Sequence, residues 1–258
     1  MHSKSIANCV YSVMGRADSG RVCFSDHYLA YAAHGSMRLD IESRYIFLQP
    51  TKAAWIPANV EVIADIRKSI TCCSILYVPS NFPKHNQVVQ TIDLSPLAQH
   101  MILYCKRWTS PESASADTAK TFFLALANII VEGMNNPTTD WVPRGTSSMV
   151  SQAIDLTMER YMRQLEIGEI ASDLSTSERT LSRRVVDETG MTWSHLLRRI
   201  RMIHAREKLT TTDTQITRIA AEVGYNSQSA FNRAFKEETV LTPSEFVSSY
   251  KRDLNQKY

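Results

Sequence analysis

Apolar and polar positions give this chain two textures. From Val22 to Val78 it runs in short β-branched or aromatic stretches broken by turn residues: Tyr28 to Ala33, Met37 to Ile41, Tyr45 to Leu48, Ala53 to Ile56, Val60 to Ile66 and Ile70 to Val78. Many short strands close together predict a sandwich or a small barrel. After Pro79 to Pro83 the period changes. Ser95 and Pro96 open a helical pattern that lasts to about Trp108, and a second runs from about Asp117 to Gly133. The second places Phe122, Phe123, Leu126, Ile129 and Ile130 on a stripe wider than one barrel surface requires, so core packing and a dimer interface both fit it. Residues 135–148, NNPTTDWVPRGTSS, concentrate proline, glycine and small polar residues, as a linker does. Beyond them the pattern is helical almost to the end. The fold class expected is therefore α+β with two domains: strands and helices in 1–134, a linker at 135–148, and an all-α domain in 149–258.

The helical part contains a duplication. Ile167 to Leu196 aligns with Ile216 to Phe246 once one extra residue, Asn226, is allowed. Ile170, Ala171, Leu174, Leu181 and Val185 fall on Ile219, Ala220, Val223, Phe231 and Phe235, and Arg183 falls on Arg233. Each copy reads as a short amphipathic helix, a tight polar break and a second helix, which is the helix-turn-helix pattern. The break is Ser175 to Ser177 in one copy and Gly224 to Ser227 in the other; Gly224 suits a positive φ, and Ser177 and Ser227 suit the next N-cap. On a 100° wheel Leu181 and Val185 point inward. Arg179, Ser182, Arg183 and Val186 lie opposite, as do Ser229, Asn232, Arg233 and Lys236 in the second copy. Such a helix fits a major groove, where arginine bonds guanine bidentately and asparagine suits adenine. A solvated polar face would give the same wheel.

Composition adds limits. The chain has 258 residues, 43% hydrophobic and 21% charged, enough for two folded domains. The longest apolar stretches fall short of the roughly 20 residues of a membrane span, and Met1 to Asn8 lack the apolar core of a secretory signal, so a cytoplasmic protein without a membrane partner is expected. Five cysteines, with no CxxC pair and no tight His/Cys spacing, predict neither disulfides nor structural zinc. The adjacent Cys72 and Cys73 read as strand packing, with redox sensing as the alternative. A net charge of +3 announces nothing, but between Arg179 and Lys208 the bases Arg179, Arg183, Arg184, Arg198, Arg199, Arg201, Arg206 and Lys208 face only Asp187, Glu188 and Glu207.

The stretch Val223, Gly224, Tyr225 with the following NSQSAFNRAFKEET and Leu241 to Ser244 resembles the second signature unit of the AraC family, and RTLSRRVVDETGMTW resembles the first. The likeness covers about Val150 to Tyr250. Val240 departs from it, standing where the family usually has glycine, whereas Gly190 keeps that glycine in the first copy. The resemblance implies a sequence-specific regulator of transcription whose partner is double-stranded promoter DNA. Its two recognition helices, joined by a long helix over Thr192 to Leu209, would enter successive major grooves about 34 Å apart. By position in the motif the base-contacting residues are Arg179, Ser182 and Arg183 in the first unit, and Gln228, Asn232 and Arg233 in the second. Arg198, Arg199 and Arg201 are left to the phosphate backbone or to ion pairs between helices.

The strand-rich region resembles the small cupin-like sensor barrels of such regulators, through Gly35 to Leu39 (GSMRL) and Ala54 to Val60 (AWIPANV). Cupin enzymes hold a metal with a His-x-His pair and later ligands; neither His27 nor His34 belongs to such a pair, and Val62 stands near where a later histidine is often found, so neither metal, cofactor nor catalytic residue is expected. A metal-free barrel can hold a small-molecule effector, with His27, Tyr31 and Trp55 as its lining. A homodimer through the helices near Leu94 to Gly133 and a contact with RNA polymerase are further expectations. Two other readings stay open: a regulator controlled by a partner protein or by its abundance, and an enzyme fused to a DNA-binding domain, either a metal-dependent cupin or a DNA-repair methyltransferase. Missing ligand clusters speak against the cupin enzyme and the absence of four zinc-spaced cysteines against the methyltransferase, and no GxSxG, P-loop or GxGxxG motif is present.

Overall fold

The computed structural model describes residues 5–67, 69–85, 87–135, 138 and 140–255, and divides the chain into two compact units, Met1–Trp141 and Val142–Tyr258. Asn136, Pro137 and Thr139 of the segment read as a linker lie outside the described residues, as do the first four and last three residues of the chain.

In the first unit the strands are β1 (Ala7–Met14), β2 (Ala17–Cys23), β3 (His27–His34), β4 (Met37–Ile41), β5 (Arg44–Leu48), β6 (Lys52–Ile56), β7 (Glu61–Ile66), β8 (Ile70–Tyr77) and β9 (Gln90–Asp93). They form two antiparallel sheets, one in the order β1-β8-β3-β6-β9 and one running β5-β4-β7-β2. Helices α1 (Pro96–Tyr104), α2 (Pro111–Ala114) and α3 (Asp117–Met134) follow. Ser95 caps α1 by accepting the Ala98 N–H at 3.2 Å, with proline at the first helical position.

Side chains alternate across a strand, so each strand of the first sheet serves two cores. Ala30, Ala32, Ala54, Ile56 and Cys72 face the other sheet and pack on Met37, Leu39, Ile46, Leu48, Val62 and Ile66. Leu29, Tyr31, Ala53, Trp55, Cys73 and Tyr77 form the opposite core with Ile102, Phe123, Leu126 and Ile130 of α1 and α3. The adjacent cysteines thus belong to different cores, with the Cys73 sulfur 3.6 Å from that of Cys9. Core packing takes most of the wide α3 stripe: Phe123, Leu126 and Ile130 are buried and Phe122 and Ile129 half-buried.

Part of the stretch expected to be a linker is bound to the first unit. Asp140 is buried and pairs with the buried Lys52, which also holds Asp93 at 2.5 Å; the Phe47 N–H donates to the Asp140 carbonyl, and Arg44 lies over the Trp141 ring. A buried lysine needs such partners, so 140–141 is anchored chain, and Trp141–Pro143 forms a short strand β10.

The second unit is helical: α4 (Ser148–Arg160), α5 (Ile167–Asp173), α6 (Glu178–Thr189), α7 (Trp193–Thr211), α8 (Ile216–Glu222), α9 (Gln228–Thr239) and α10 (Pro243–Asn255). No helix among the described residues is long and apolar enough to cross a membrane.

Candidate nucleic-acid interface

The two copies of the repeat fold alike. In α5–α6, Ile170, Ala171, Leu181 and Val185 are buried; in α8–α9, Ile219, Ala220, Val223, Phe231 and Phe235 are. The turn closes the same way in both, the Thr176 N–H donating to the Ala171 carbonyl and the Tyr225 N–H to the Ala220 carbonyl, each at 2.9 Å. Ser177 accepts from Thr180, and Ser227 from Ala230, each at 3.2 Å, which starts α6 and α9 with a satisfied N-cap. Both second helices end in a left-handed residue, Gly190 at φ 69° and Val240 at φ 68°. The valine does not change the turn; it adopts the glycine conformation.

On α6, Arg179 and Arg183 are exposed, Ser182 is half-buried, and Val186 is exposed beside them. On α9, Gln228 and Arg233 are exposed and Asn232 is half-buried. The Gln228 carbonyl oxygen accepts from the Thr217 hydroxyl at 2.7 Å, leaving its amide nitrogen to donate, and the Asn232 Oδ1 has no hydrogen-bond partner. Arg179, Arg183, Arg184 and Arg233 form no ion pair among the described residues. The bases of α7 differ: Arg198 pairs with Glu237 at 2.5 Å, Arg199 with Glu238 at 3.1 Å and Lys208 with Glu222 at 2.7 Å, while Arg201 donates to two main-chain carbonyls. The arginine-rich stretch therefore splits into unpaired cations on one recognition helix and tied cations on the connector, a difference that charge counting does not reveal.

Sequence reasoning also passed over Glu188. Its carboxylate, at the end of α6, accepts from the Thr146 N–H and hydroxyl at 2.8 and 3.0 Å and from the Ser147 N–H and hydroxyl at 2.7 and 2.6 Å, fastening the start of α4 to the first motif. Burial alone would raise its pKa, but these donors outweigh burial and hold it below the ordinary carboxylate value.

The residues expected to line an effector site fall on one side of the first sheet. His27, Tyr31 and Trp55 share the strand face that packs on α1 and α3, and none of them faces the space between the sheets. His27 Nδ1 accepts the Ala58 N–H at 3.0 Å, its ring lies 5.0 Å from Trp55, and burial lowers its pKa although Asp26 acts to raise it. The Tyr31 hydroxyl donates to the Pro50 carbonyl at 2.9 Å, and Trp55 stacks on Phe82 at 4.2 Å. All three are packed core residues, and strand parity puts them on the helix side of the sheet. Among the described residues no group of three or more His, Cys, Asp or Glu side chains could hold a metal ion.

Two tandem helix-turn-helix motifs, each with an exposed polar recognition face, define a DNA-binding transcription regulator. Residues 170–249 match the model of a helix-turn-helix domain family, and with both signature units present the chain carries an AraC-type DNA-binding domain. It is similar to the HTH-type transcriptional regulator NimR of Escherichia coli (strain K12), 22% identical over 249 residues that make up 96% of this chain and 89% of that protein. An uncharacterized HTH-type transcriptional regulator of Staphylococcus aureus is 33% identical over 97 residues, 38% of this chain but 13% of that protein. Among solved structures, the C-terminal domain of AraT, a response regulator from Geobacillus stearothermophilus, is 33% identical, with 40% of this chain and 86% of that one covered and a TM-score of 0.39.

Proposed function

We propose that this regulator reads its operator through both motifs at once, with Arg179, Ser182 and Arg183 on α6 and Gln228, Asn232 and Arg233 on α9 contacting bases in successive major grooves. The observation that carries this reading is the contrast between the arginines of the two recognition helices, which no carboxylate engages, and those of α7, which carboxylates and carbonyls hold inside the unit. An unpaired arginine on a groove-sized helix is available for a bidentate guanine contact. The test is selection of genomic fragments by the full chain, repeated with Arg183→Ala and Arg233→Ala. A motif of two blocks about one helical turn apart is expected, each variant weakening a different block by about 1–3 kcal/mol. Equal loss on random DNA would make these arginines phosphate contacts, and sequence-indifferent binding by the intact chain would overturn the reading.

For the first unit we infer a sensor and dimerisation role. Support for a dimer comes from Leu97, Tyr104 and Leu124, which are 53%, 48% and 44% exposed on α1 and α3. Both faces of the first sheet are mainly apolar, so an effector that finds a place in the first unit would be an apolar small molecule. Native mass spectrometry and thermal shift of the full chain with apolar metabolites test this; no bound species and no shift would leave control to a partner protein or to abundance. The chain then acts in the cytoplasm at promoter DNA, beside RNA polymerase, as a regulator and not as an enzyme.

A further inference from the structure

The two motifs meet at a seam within the second unit. Arg201, midway along α7, donates from Nε to the Tyr161 carbonyl at 3.0 Å and from Nη2 to the Arg163 carbonyl at 2.9 Å, while its guanidinium carbon lies 5.3 Å from the Tyr225 ring centroid. Tyr161 to Gln164 lead the chain into the first motif; Gly224 and Tyr225 form the turn of the second. Gln164 crosses the same seam, its amide nitrogen donating to the Gly224 carbonyl and to Asn226 Oδ1, both at 3.0 Å. The backbones nearly touch: a Cβ on Gly224 would lie 2.5 Å from the Tyr161 carbonyl oxygen and 2.8 Å from Arg201 Nη2. One guanidinium thus donates to the carbonyls at the entrance of one motif and lies over the tyrosine ring in the turn of the other. An ammonium group cannot reproduce this, because it is a point charge without the fork that reaches two carbonyls while the cation lies over a ring.

We propose that Arg201 is a positioning residue that fixes the separation and relative orientation of α6 and α9, and so sets the spacer length the protein accepts between its two DNA blocks. The inference rests on the two-block reading above. A rigid seam makes the protein intolerant of a changed spacer, since each added base pair rotates and displaces the second groove relative to the first. A loosened seam lets each helix find its own block, at the expense of the coupling between them.

The experiment measures the affinity of the full chain for the selected operator, for operators with one base pair added or removed between the blocks, and for each block alone. Wild-type protein is compared with Arg201→Lys and Gln164→Ala, each checked for an intact melting transition. The wild type is expected to lose roughly tenfold or more on a changed spacer, and the variants less than about threefold, with affinity for single blocks unaltered. A flattened spacer profile in folded Arg201→Lys supports the proposal, and a wild-type profile in that variant overturns it. If Arg201→Lys does not fold, Gln164→Ala, which loosens the same seam, decides in its place. A wild-type protein that shows one block, or no dependence on the spacer, refutes the two-block reading and takes the inference about Arg201 with it, a result distinguishable from unchanged variants on a spacer-sensitive wild type.

Discussion

Val240 sits at φ 68° with 80% of its surface exposed, so a β-branched side chain occupies a left-handed position and contacts almost nothing in return. That conformation costs a β-branched residue roughly 1–2 kcal/mol, and glycine gives part of this back through its greater freedom in the unfolded chain. Val240→Gly is therefore expected to stabilise the second unit by about 1 kcal/mol, read as a higher melting temperature. An unchanged or lower midpoint would show that the conformation is not strained. The copies mirror each other here: the first has Ser175 at φ 51° in its turn and glycine after its second helix, and the second has Gly224 in its turn and valine after. Of the two repeat glycines Gly224 is the one that resists exchange, because a Cβ there would lie 2.5 Å from the Tyr161 carbonyl oxygen, whereas one on Gly190 would meet nothing within 4 Å. Glu188 gives a prediction with pH. Its folded pKa is depressed, so its contribution to stability is complete above the unfolded value of about 4.3 and disappears as pH falls through the folded one. Wild type and Glu188→Gln should differ in melting temperature at neutral pH and converge in acid; a constant offset across that range would mean that the charge plays no part.

The repeat was legible because each of its elements carries a local signal: serine caps, small Ala171 and Ala220 at the crossing, and apolar positions at helical spacing on an otherwise polar helix. The strands from β3 to β8 were legible as strands, but their faces were not. His27, Tyr31 and Trp55 belong to strands buried on both sides, where alternation no longer separates core from solvent and nothing in the sequence tells the sheet side from the helix side. β1 was missed for the opposite reason. It is an edge strand whose Val10, Tyr11 and Val13 remain exposed, so its apolar residues do not mark a buried face. On α3 the stripe that predicted both a core and an interface turns to the core, with Phe123, Leu126 and Ile130 buried and Phe122 and Ile129 half-buried, while Leu124, outside that stripe, is exposed. Leu124→Glu should leave the fold intact and, if this face joins two copies, halve the mass measured by light scattering. A mass unchanged from the wild-type value would place the dimer contact elsewhere or show that there is none.

At the scale of the whole chain, domain class and DNA-binding chemistry could be read from residue types, whereas the seam could not. Arg201 has the same charge and the same helix as Arg198 and Arg199, and only the positions of Tyr161, Arg163 and Tyr225, between 24 and 40 residues away in sequence, single it out. Helix-turn-helix proteins that pair as two-fold dimers present two identical readers in opposite senses, and their sites read the same on both strands. Here the two motifs follow one another along a single chain and differ at all but one of the paired positions proposed to contact bases, Arg183 and Arg233 being the shared pair, whereas Ser182 answers to Asn232 and Glu178 to Gln228. On the two-block reading proposed above, the site matched to one copy of this chain has a beginning and an end. Each copy bound in that way would point one way along the genome, so turning such a site around without moving it would present the opposite side of that copy to whatever stands downstream.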